Sequence, residues 1–145
     1  MSITVNQLLN KKGKEIHSIS PDATVFDAIK LMSELGVGAL LVLEGSRLVG
    51  VISERDYTRK VILKGRSSSS TVVQDIMTKK VICLSPENNI DECMALMNEN
   101  QIRHLPIVEK GEVVGVVTIM DVIKNILQEK EFIIEQMEHY IAGDA

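Results

Sequence analysis

Two short stretches place a hydroxyl three residues ahead of a carboxylate: Ser53-Glu54-Arg55-Asp56 and Thr118-Ile119-Met120-Asp121. Each follows a glycine and two β-branched residues, in GVISERD (50–56) and GVVTIMD (115–121), sixty-five residues apart. Two chemistries fit this spacing. As a helix N-cap with an acid at the third helical position, the pair satisfies backbone N–H groups reciprocally. Beside a cleft, the carboxylate can instead accept the paired hydroxyls of a ribose, while the Ser or Thr hydroxyl and a nearby cation hold phosphate. Arg55 lies inside the first motif, where the second has Met120, and Arg103-His104 stand where the first copy has Gly38-Ala39. A guanidinium fork matches phosphate geometry. The competing reading of Arg103 is a solvated helix-end cation, and His104, ahead of Leu105-Pro106, reads equally as a core histidine.

Other chemistry finds no residues to carry it. No His-x-x-x-His or Cys-x-x-Cys spacing points to a metal, and no P-loop or G-x-G-x-x-G follows a strand. Cys83 lies in VICLS and Cys93 on an apolar helical stripe, so both read as reduced core thiols without an activating neighbour. Met94 and Met97 read as core. No catalytic residue, metal or catalytic cofactor is expected, and the chain is not read as an enzyme. A net charge of −4 and only four aromatic residues, Phe26, Phe132, Tyr57 and Tyr140, argue against a nucleic-acid surface. No apolar run approaches the roughly 18 residues of a membrane span. MSITVNQLLNKKGKE shows no export or import signal, so a cytoplasmic location is expected.

The elements that must position these groups are duplicated. With the same period, Ser20-Pro21 matches Ser85-Pro86, Leu31-Met32 matches Leu96-Met97, and Glu44 matches Glu109. Upstream, Val5–Leu9 aligns with Val73–Met77 at a longer offset, so the first copy carries three extra residues near Gly13-Lys14-Glu15. Each copy predicts β-α-β-β-α: a strand (Glu15–Ile19 or Val81–Leu84) stopped by Ser-Pro, a helix capped at Thr24 or Asn89, a hairpin, and a helix from Ser53 or Thr118. The helix stripes are Val25, Ala28, Ile29, Met32 and Leu35, and Ile90, Cys93, Met94 and Met97. The expected divisions are residues 1–63, a flexible link at 64–71, 72–127, and a helical extension at 128–145 stopped by Gly143. The expected fold is α/β, two pseudo-symmetric units packed sheet to sheet with helices outside.

The unit, its G-h-h-[ST]-x-x-D ending and its duplication resemble a stand-alone tandem CBS-domain protein, a Bateman module, from Val5 to about Leu127. The stretches GALLVLEGSRLVGVISERDY and IRHLPIVEKGEVVGVVTIMDV carry the likeness most specifically. The resemblance implies a regulatory module that binds an adenosine ligand (AMP, ADP, ATP, NAD or S-adenosylmethionine) in clefts built from both copies. One cleft would combine Lys14, Ile16, Val37 and Gly38 with Thr118 and Asp121; the other Thr78, Lys79, Val81, Ile102 and Arg103 with Ser53 and Asp56. Arg55, Arg103 and His104 would form the phosphate end. It also implies a homodimer acting on a protein effector in trans. The alternative is a ligand-free dimeric interaction scaffold.

Overall fold

The computed structural model describes residues 3–141. Helix α1 (Val5–Lys12) starts from a Thr4 cap closed reciprocally by Gln7 and ends at Gly13, whose φ of 101° favours glycine. After an extended stretch come β1 (Ser18–Ile19), α2 (Val25–Leu35), β2 (Ala39–Glu44), β3 (Arg47–Ser53) and α3 (Glu54–Tyr57). A π-turn over Thr58–Ile62 continues α3. The second copy supplies α4 (Ile90–Asn100), β4 (His104–Glu109), β5 (Glu112–Thr118) and α5 (Ile119–Ile141). Thr24 and Asn89 cap α2 and α4 as their spacing predicts, the latter in a full capping box with Glu92. Gly143, expected to stop α5, lies outside the described residues.

The strands form one mixed five-stranded sheet in the order β1-β2-β3-β5-β4. Each hairpin is antiparallel, and the two meet through the single pair Arg47–Glu112. Both leading strands are shorter than expected, and in the second copy one residue shows why. In the first copy the N–H of Leu41 donates to the His17 carbonyl at 3.1 Å and extends the parallel ladder. The equivalent position in the second copy is Pro106, which has no N–H to give. Pairing there shrinks to a bridge between Leu84 and Ile107, and Val81–Leu84 is not a strand. Cys83 is exposed rather than core, as is its counterpart Ser18 in β1, whereas burial pushes the Cys93 thiol up to about 11. Met94 is also 39% exposed, because Ile90, Cys93 and Met97 alone fill the buried face of α4.

Two apolar cores form, and each crosses the boundary between copies. Val25, Met32, Leu40 and Ile52 pack with Val73 and Ile76, residues that open the second copy. Ile90, Met97, Leu105 and Val117 pack with Val5, Leu8 and Leu9 from α1. Backbone bonds repeat the exchange. The N–H groups of Val25 and Val73 donate to Thr71 and Ala23, both at 2.8 Å. Those of Ile90 and Val5 donate to Ile3 and Asn88, at 3.0 and 2.7 Å. The segment expected to be a flexible link is therefore pinned, and it caps the unpaired donors opening α2.

Candidate functional site

Both repeated motifs fold as caps. The Ser53 and Thr118 N–H groups donate to Asp56 Oδ2 at 3.0 Å and Asp121 Oδ2 at 2.8 Å. The N–H groups of the two aspartates donate back to the hydroxyl oxygens at 3.1 and 3.2 Å. Capping accounts for the spacing; the surroundings differ from one copy to the other.

Around Asp56 both carboxylate oxygens are engaged. Ser53 Oγ donates to Oδ2 at 3.1 Å, Thr78 Oγ1 to Oδ1 at 3.3 Å, and Lys60 Nζ lies 3.1 Å from Oδ1. Lys60 also donates to the Ile76 carbonyl at 2.9 Å. The edge of β3 is closed as well, since Val51 and Thr78 exchange backbone hydrogen bonds of 3.0 and 2.8 Å. Asp56 is buried.

Around Asp121 a single side chain does this work. Lys12, at the last turn of α1, donates to Asp121 Oδ2 at 2.6 Å and to the Val116 carbonyl at 2.7 Å. Val116 is the counterpart of Val51 at the repeat period. A side-chain ammonium thus stands where the first copy uses the Thr78 backbone. The three extra residues of the first copy lie near Gly13-Lys14-Glu15. With them, α1 stays helical to Lys12, whereas the matching segment of the second copy turns extended and bridges Val51 at Thr78.

His104 opens β4 directly opposite Thr118 of β5. Desolvation of its imidazole holds its pKa below the ordinary value; the Asp121 carboxylate opposes this, and the Lys12 and Arg103 cations add to it. Lys12, Arg103 and Asp121 thus all act on His104, and the Arg103 and His104 side chains are exposed. The Ile119 N–H donates to the Arg103 carbonyl at 2.9 Å, which anchors Ile102-Arg103 beside the start of α5 and Asp121, not beside Asp56 as the sequence suggested. In the first copy the Glu54 N–H donates to the Gly38 carbonyl at 3.0 Å, which sets Val37-Gly38 beside α3. Of the other residues read from the sequence, Lys14, Arg55 and Lys79 are exposed, and Ile16 and Val81 are half-buried.

Sequence reasoning missed Lys12 and Lys60. Lys60 had a signal, being four residues from Asp56 on one helical stretch. Lys12 had none beyond the three-residue insertion that follows it, since its partner lies 109 residues away. Among the described residues, no group of three or more His, Cys, Asp or Glu is placed to hold a metal ion. No helix there is long and apolar enough to cross a membrane.

Comparison with known proteins is consistent with this architecture. The family model for the CBS domain matches residues 8–62 and 73–128. The CBS domain-containing protein CBSX3, mitochondrial, of Arabidopsis thaliana is 40% identical, over 98% of this chain and 73% of that protein. The crystal structure of the CBS domain NE2398 superposes with a TM-score of 0.82 at 38% identity, covering 88% of this chain and 99% of that one. Inosine-5'-monophosphate dehydrogenase of Methanocaldococcus jannaschii is 33% identical over 77% of this chain, but only 22% of the enzyme takes part in the match.

Proposed function

The chain belongs to the CBS-domain family as a tandem pair, and from that premise we propose a regulatory module that binds an adenosine nucleotide between its halves. AMP, ADP, ATP and NAD share the base and ribose that such a cleft would read. Binding is passed on as a change of shape or of affinity for a protein effector. One observation carries the reading: the Thr118–Asp121 cap holds the Lys12 ammonium on its carboxylate, with His104 opposite Thr118 and the Arg103 carbonyl bonded to the Ile119 N–H beside it. A carboxylate for ribose hydroxyls beside the Lys12 and Arg103 cations, with His104 held toward its neutral form, is chemistry that suits a nucleotide. A thermal-shift panel of adenine nucleotides tests it. At a ligand concentration near 100 times Kd, linkage gives about 2.7 kcal/mol, a rise of roughly 5–10 °C for a chain of this size. No shift with any of them at millimolar concentration would count against the nucleotide.

A dimeric interaction role is favoured by a separate observation. Beyond its buried first turns, α5 exposes Leu127, Phe132, Ile133, Ile134, Met137 and Ile141, each more than half exposed. A stripe of this kind on a single helix is apolar surface in need of a cover. Truncation after Glu129 is expected to turn a homodimer into a folded monomer, read by sedimentation velocity together with a melting curve. Full-length protein sedimenting as a monomer at micromolar concentration would sink this expectation.

A further inference from the structure

The two pseudo-equivalent aspartates are sealed by different means, and the difference decides which cleft can open. We propose that each chain takes one adenosine ligand, at Asp121, and that the ligand enters by displacing Lys12, while Asp56 serves as a structural carboxylate. The inference rests on the nucleotide reading and adds to it the number of ligands and the residue that guards their entry.

The hydrogen-bond inventory carries the assignment. A carboxylate that grips a ribose diol needs an acceptor on each oxygen. At Asp56 both oxygens are engaged, Oδ2 by the Ser53 N–H and hydroxyl, Oδ1 by Thr78 and Lys60. Opening that cleft means breaking several contacts at once, including the backbone exchange between Val51 and Thr78. At Asp121 both hydrogen bonds fall on Oδ2, and among the described residues Oδ1 accepts none. The Thr118 hydroxyl accepts from the Asp121 N–H, and its own proton has no acceptor among the described residues. One donor, Lys12 Nζ, covers both Oδ2 and the Val116 carbonyl. Its side chain is 26% exposed, so the ammonium can leave for water by rotation about its stem while α1 stays packed. Release of this one side chain leaves Oδ2 with the Thr118 N–H as its one remaining donor and frees the Val116 carbonyl.

Calorimetric titration of the full chain with adenosine and with AMP tests the assignment. The expected stoichiometry is one ligand per chain. Asp121→Asn is expected to weaken binding roughly 10- to 150-fold, since an amide offers one acceptor oxygen in place of a charged pair. Asp56→Asn is expected to lower the melting temperature and to leave the stoichiometry at one. Lys12→Met is expected to tighten adenosine about 3- to 10-fold by removing the competitor for Oδ2. A ligand-independent reading accompanies it: the His104 pKa, followed by NMR, rises in Lys12→Met because a neighbouring cation has gone. Two ligands per chain, equal losses in the two aspartate variants, or weaker adenosine binding in Lys12→Met would each overturn the proposal while leaving the nucleotide reading in place. Absence of binding in both wild type and Lys12→Met would overturn that reading and the proposal with it.

Discussion

Leu9→Ala is expected to destabilise the protein by about 2–5 kcal/mol, the range for truncating a fully buried leucine. Its loss should be felt in the other copy. Leu9 is 1% exposed and packs with Ile90, Cys93, Leu105, Ile107 and Val117 of the second copy. Collapse around the vacated space is hindered, because Gly115 beneath Leu9 has no side chain with which to fill it. Chemical denaturation gives the magnitude, and amide hydrogen exchange gives the place. Protection should fall first in α4, β4 and β5. A loss confined to β2 and β3 would show that α1 does not support the second core.

Gly50→Val is expected to cost about 3 kcal/mol, at the upper end of overpacking penalties. A Cβ at Gly50 would stand 2.6 Å from Met77 Sδ and 3.0 Å from the Thr78 carbonyl oxygen. The methionine can turn away, but the carbonyl is fixed by its hydrogen bond from the Val51 N–H. Gly115→Val meets only the ends of a side chain, Leu9 Cδ2 at 2.8 Å and Cδ1 at 2.9 Å, and should cost less. Denaturation midpoints rank the two. Met77→Ala added to Gly50→Val should recover only part of the loss, because the backbone contact stays. Equal stability of Gly50→Val and wild type would show that the repeated glycine is not there to admit the neighbouring segment.

These glycines explain why the duplication is legible. A residue kept at the same place in both copies, because a crossing segment needs the room, leaves its trace in the sequence. The caps at Thr24, Asn89, Ser53 and Thr118 are readable for the same reason: each is a local contact of fixed spacing. What the sequence does not disclose depends on distant partners. The missing second-copy strand follows from Pro106 on a neighbouring strand. Lys12 looks like any surface lysine until the fold brings Asp121 to it. The exchange of α1 and residues 71–77 between cores is equally hidden, since apolar spacing marks a buried face without saying what buries it.

That exchange also orders events during synthesis. Helix α1 leaves the ribosome ahead of every surface that buries Val5, Leu8 and Leu9, and those surfaces run on to Val122. The first core can close once Val73 and Ile76 have emerged. Until Val117 and Val122 have been made, α1 must wait with its apolar face bare, and contacts between such distant residues form slowly. Of all these elements, the one made earliest is therefore the last to find its place.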